Sequence, residues 1–98
     1  MKLVVAPLAL AELHDAAAFY TLKANAELGL AFVAEFERTA KFVFANPLLG
    51  AVFRGSRRRY LLRRFPYSII YQVTTEELRI LAVAHHRRQP GYWAHNRG

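Results

Sequence analysis

The residues best equipped for chemistry crowd the second half of this 98-residue chain. Ten arginines lie between Arg54 and Arg97, opposed only by Glu76 and Glu77. The 53 residues before them carry four basic side chains against five acidic ones. All the excess positive charge is therefore guanidinium, a planar fork of donors suited to phosphates and carboxylates. Arg57, Arg58, Arg59, Arg63 and Arg64 fall in one stretch, and Arg87 and Arg88 follow the last apolar run. Such a distribution predicts an anionic partner, either a nucleic acid or an acidic protein segment. The final stretch, His85 to Gly98, adds three histidines, the pair Tyr92-Trp93 and a Pro-Gly step, with no acid.

Several chemistries fit this set poorly. His85 and His86 are neighbours on a strand, so they point to opposite faces and cannot easily share an ion. No acidic residue in the tail completes a metal site, which needs three or four converging ligands. No metal is expected. The absence of cysteine excludes disulfides, thiolate zinc sites and a thiol nucleophile, and fits a reducing cytoplasm. Ser56 and Ser68 are the only serines, and neither lies in a G-x-S-x-G elbow. Gly50 and Gly55 are isolated, so there is no phosphate loop, and no cofactor is expected. Metal-free RNA cleavage is the one reaction the basic set suits. One group would deprotonate a ribose hydroxyl, one would protonate the leaving oxygen, and arginines would stabilise the charge. Arg59, Arg63, His85, His86, Arg87 and Tyr92 are the candidates for it. Against this stands a plainer reading, which we weigh more heavily: Pro90 to Trp93 close the fold, and the arginines face solvent.

The elements that must position these residues are legible from periodicity. Residues 2–6 read as a short buried strand, ended by Pro7, which suits the start of a helix. Leu10, Leu13, Ala17 and Tyr20 recur at steps of three and four, marking a helix from Leu8 to about Ala24. Glu12 and Asp15 near its start favour the helix dipole. Asn25 breaks and caps. Leu28, Phe32, Phe36, Ala40 and Val43 mark a second helix over 27–45, giving a helical hairpin. Asn46 to Gly50 is a loop. Twofold alternation then predicts strands over 57–65, 67–73 and 78–84, joined by Pro66 and by the polar Thr74–Glu77. The fold class is α+β, in the order β-α-α-β-β-β, with the helical hairpin packed on an antiparallel sheet. Residues 1–98 form one domain, with 86–98 as a basic tail. No apolar run is long enough to span a membrane, and no signal peptide is visible.

The segment RRYLLRRFPYSIIYQV (58–73) followed by LRILAVAHHRRQPGYW (78–93) resembles the RelE/ParE superfamily of toxins from bacterial type II toxin–antitoxin systems. Pro7, Tyr20 and the Asn46-Pro47 step before Gly50 also fall where that superfamily has them, so the resemblance spans nearly the whole chain. It implies the same fold and two possible activities. RelE-like members cut messenger RNA on the ribosome; ParE-like members block DNA gyrase. Both are silenced by an antitoxin with an acidic, partly disordered segment, which suits the basic half of this chain. Position by position, the RelE-type cleavage set is broken here. Arg59 and Leu61 stand where it has two lysines, Ser68 replaces an arginine, Arg87 matches, and Trp93 falls on the tail tyrosine with Tyr92 one residue short. Phe65-Pro66-Tyr67 and the His-x-Arg-Arg-x-Pro-Gly-Tyr-Trp tail are closer to the ParE branch. The resemblance thus implies a cytoplasmic toxin that binds gyrase through Arg87, Arg88, Tyr92, Trp93 and Arg97. It would bind its antitoxin, or another anion, through Arg57, Arg58, Arg59, Arg63 and Arg64, in a toxin–antitoxin hetero-oligomer. The ribosome with its mRNA is the alternative target, and a non-toxic nucleic-acid or protein binding module the second alternative.

Overall fold

The computed structural model describes residues 1–87. Their order is β1 (Lys2–Val5), α1 (Pro7–Lys23), α2 (Ala26–Ala45), β2 (Ala51–Val52), β3 (Arg57–Leu61), β4 (Tyr67–Val73) and β5 (Glu77–His85). Pro7 opens α1, where its missing N–H has no helical partner to lose. The helices part at Asn25, whose backbone is extended and whose side-chain oxygen accepts the Leu28 N–H at 2.8 Å. Such a cap contributes about 1 kcal/mol. Asn25→Ala is accordingly expected to lower the unfolding free energy by about that amount in a urea titration.

The strands form one sheet in the order β1-β5-β4-β3-β2. β3, β4 and β5 make the expected antiparallel meander. The first strand joins differently: β1 runs parallel to β5, with Lys2 opposite Glu77 and Val5 opposite Ile80, so the sheet is mixed. β1 forms one edge and is half exposed rather than buried. The two-residue β2, too short to show any alternation, forms the other edge against β3. β3 also stops at Leu61 instead of running to Phe65. Arg64 lies in the left-handed region at φ 70° and turns the chain there. Leu62 and Phe65 are consequently both buried, which a continuous alternation does not allow.

The helices cover one face of the sheet. Ala9, Leu13 and Ala16 of α1 face the core, while Leu10 is exposed. Phe32 is fully buried at the centre of an aromatic cluster, 5.5 Å from Tyr20, 5.0 Å from Phe65 and 4.9 Å from Tyr67 between ring centroids. Ile69, Tyr71, Leu78, Ile80 and Val83 complete this layer from the sheet side. By alternation the opposite face carries Arg57, Arg59 and Leu61 from β3 and Ser68, Ile70 and Gln72 from β4; its centre is buried, with Ile70 and Ala82 forming a second small apolar cluster beside Phe53. Among the described residues, no helix is long and apolar enough to cross a membrane.

Candidate functional site

Strand alternation splits the arginine cluster. Arg58 shares the helix-side face with Tyr60, and its Nη1 donates to the carbonyls of Leu48 at 3.1 Å and Gly50 at 2.8 Å. The buried Tyr71 hydroxyl fixes the same loop, donating to Pro47 O and accepting from Gly50 N–H, each at 2.9 Å. Gly50 is held so close that a Cβ there would lie 2.6 Å from that hydroxyl. Arg58 is thus a bracket for the 46–50 loop, though part of its guanidinium stays near the surface. Arg57 and Arg59 point the other way. Arg57 lies in one cross-strand row with Gln72 and Arg79, and Arg59 in the next with Ile70. The Arg59 guanidinium stacks 5.2 Å from the Phe53 ring centre. Arg79 is ion-paired to Glu77 at 2.8 Å.

Arg63 and Arg64 lie beyond β3, in the turn that leads to β4, so the arginines of 57–64 do not form a single surface. The turn is anchored by a residue the sequence reading missed. Glu35 of α2 accepts the Arg63 backbone N–H at 2.6 Å and is bonded by Arg38 through two nitrogens, each at 2.8 Å. The Thr39 hydroxyl also donates to it at 3.2 Å. The Arg38 fork holds the carboxyl well below the usual range, at about 2, the other donors helping against the cost of burial. The Glu35-x-x-Arg38 spacing is a readable helical pair. Nothing local signals the third partner, 28 residues away.

Towards the tail end of the sheet face opposite the helices runs a cross-strand row without ionisable side chains. Leu61, Ser68 and Ala84 are aligned across β3, β4 and β5. Ser68 is 2% exposed and shares a hydrogen bond of 3.0 Å with His86 Nε2. The His86 backbone N–H donates to Pro66 O at 2.8 Å. The Ser68–His86 pair has the spacing of a nucleophile and base, but a hydroxyl this buried cannot reach a substrate. Ser68→Ala is expected to leave growth arrest unchanged in an induction assay, at a stability cost of about 1 kcal/mol. His85 stands edge-on to Tyr67 on the helix side, centroids 4.9 Å apart, and its Nδ1 accepts the Arg87 N–H at 3.0 Å. Burial pushes its pKa down, and Arg87 and His86 add to that. The two histidines therefore occupy opposite faces, and no group of three metal-ligating side chains occurs among the described residues.

His85 and Tyr67 line a cleft of about 210 Å³ with Glu12, Asp15, Ala16, Phe19 and Val83. Glu12 lies beyond the first turn of α1, which holds no acid. Its carboxylate accepts the Val83 N–H at 2.9 Å, capping the β5 edge where β1 has ended. Arg88, Tyr92, Trp93 and Arg97, expected to contact the target, lie outside the described residues.

Comparison with known proteins agrees with this geometry. The family described as ParE toxin of type II toxin-antitoxin system, parDE, matches residues 3–90. Among solved structures, a chain of the "Chromosomal ParDE TA system from P. aeruginosa" superposes with a TM-score of 0.78 at 25% sequence identity. The match covers 87% of this chain and 95% of that one. No curated protein matches.

Proposed function

The chain belongs to the ParE toxin family and is the toxin of a type II toxin–antitoxin system; we propose that its target is DNA gyrase, which it arrests by binding rather than by cleaving a substrate. The observation that carries this reading is the uncharged row Leu61–Ser68–Ala84 towards the tail end of the sheet face opposite the helices. Ribosome-dependent cleavage needs cations placed around the scissile phosphate to stabilise developing charge. Here that row offers a leucine, a buried serine and an alanine. Arg59 lies two residues further along β3, about 7 Å away, and is stacked on Phe53. His85 is on the opposite face, and His86, which does reach this row, is bonded to the buried Ser68 hydroxyl. The proposed gyrase contacts are Arg87, Arg88, Tyr92, Trp93 and Arg97. Residues 1–98 would act as one unit in the cytoplasm, with 86–98 as the contact tail.

The family implies an antitoxin partner. We assign its acidic segment to Arg63 and Arg64, in the turn after β3, and to the outer edge of β1, which offers unpaired backbone groups for strand addition. The β5 edge beyond β1 is less available, because Glu12 already holds the Val83 N–H. The complex would be a hetero-oligomer. The test is a supercoiling assay with purified gyrase, run beside primer extension on ribosome-bound message. Loss of supercoiling with intact message is expected. Cut message with unaffected supercoiling would overturn the proposal.

A further inference from the structure

The sheet face opposite the helices is chemically polarised. Its tail end holds the uncharged row Leu61–Ser68–Ala84, but the end formed by the β2–β3 hairpin carries Arg54, Arg57 and Arg59. Arg54 and Gly55 are successive left-handed residues, at φ 54° and 72°. The hairpin is closed by Phe53 N–H donating to Arg57 O at 2.6 Å and Arg57 N–H to Arg54 O at 3.4 Å. A left-handed arginine costs about 1–2 kcal/mol where glycine costs little. Strain held at an exposed side chain points to a role for that side chain. Phe53 supplies the platform: the guanidiniums of Arg54 and Arg59 lie 5.9 and 5.2 Å from its ring centre. Arg57 and Arg59, alternate residues on one face, are about 7 Å apart along the strand. Gln72, opposite Arg57 and bonded to the Ser56 hydroxyl at 2.9 Å, adds neutral donors.

We infer that this hairpin end is a binding site for the phosphate backbone of DNA, used by the toxin directly and independently of its protein target. The exposed guanidiniums of Arg59 on the sheet face and Arg54 on the projecting turn, flanked by an amide and a hydroxyl, match the groups that contact phosphates without reading sequence. An acidic peptide is the poorer fit. A peptide added as a strand would pair with edge backbone, and Arg59 lies on β3, which is already paired on both sides by β2 and β4. Arg58, Arg63 and Arg64 do not belong to the site: the first braces a loop, and the others lie in the turn after β3.

The test is fluorescence anisotropy of the purified full chain with a short mixed-sequence duplex, without gyrase, across a salt series. Each lost phosphate contact lowers the slope of log K against log salt by about 0.9. R54Q/R59Q should therefore lower it by about 1.8. Between about 50 and 200 mM salt, the variant's affinity should then fall about twelvefold less than that of the unmodified chain. R54K/R59K should keep the slope, separating charge from folding, and R63Q/R64Q should leave it unchanged. An unchanged slope in R54Q/R59Q overturns the inference. So does an equal drop in R63Q/R64Q, which would make the effect one of overall charge. Intact DNA binding in R54Q/R59Q with lost affinity for the antitoxin's acidic segment overturns it in favour of a protein ligand. Because gyrase is absent, the outcome is independent of the gyrase assay.

Discussion

Replacing Phe32 with alanine is expected to lower the unfolding free energy by about 3–5 kcal/mol, the usual cost of emptying a buried aromatic site. Phe32 has no exposed surface and packs against Tyr20, Phe65 and Tyr67, so it joins α1, α2, the turn after β3 and the start of β4. The edge-on pairs with Phe65 and Tyr67 each contribute about 0.5–1.5 kcal/mol beyond their buried area. A domain this small has a total stability near the lower end of about 5–15 kcal/mol. Each lost kcal/mol moves the midpoint by about 4–8 °C in a chain of this size. Calorimetry should therefore show a midpoint at least about 12 °C lower. A drop of only a few degrees would mean that the cluster re-forms without its centre. The loss would extend to the site, because Tyr67 both packs on Phe32 and supports His85.

Glu35→Gln should have the second largest effect, about 2–3 kcal/mol, because it leaves Arg38 without its two-point partner and weakens the acceptor for Arg63 N–H. The Glu35 side chain is only 11% exposed. Arg38, at 39%, is more open to solvent, which reduces the contribution of the ion pair. The substitution also has a signature in pH. The native carboxyl titrates at about 2, against an ordinary value of 4.5. A depressed carboxyl contributes stability that is complete above its unfolded pKa and disappears as the native state takes up the proton. The unmodified chain should therefore lose stability as pH falls from about 4.5 towards 2, and Glu35→Gln should remove that part of the loss. Urea midpoints at pH 7 and near pH 3 measure it. Equal acid sensitivity in both chains would place the titration elsewhere.

The helices were legible because each buries one stripe, and a stripe has a period. Asn25 was readable as their break because its side chain can replace a missing backbone partner over a three-residue span. β4 and β5 were legible from dense branched and aromatic residues bounded by Pro66 and the Thr74–Glu77 turn. β3 was read too far, since Leu62, Arg64 and Phe65 kept apparent alternation while the backbone at Arg64 had left the strand region. The direction of β1 was not legible, because pairing between residues more than seventy positions apart leaves no local pattern. The candidate site shows the same limit. Arginine composition predicts an anionic partner, but not that Arg58 holds a loop or that the Arg63 N–H is bonded to Glu35. Glu12 was read as a partner of its own helix dipole; its true partner, Val83, is remote in sequence.

The placement of β1 against β5 also governs how the molecule is made. The helical hairpin leaves the ribosome ahead of the meander, with Phe32 and Phe36 on a face that awaits Phe65 and the sheet. Roughly forty residues separate Phe36 from the start of β5, so at about 5–20 residues per second that face stays uncovered for about 2–8 s. During those seconds the nascent chain has neither the closed sheet nor the strand edge proposed here for its antitoxin. A neutralising partner that requires the finished edge can therefore bind only once β5 has been made and β1 has paired with it.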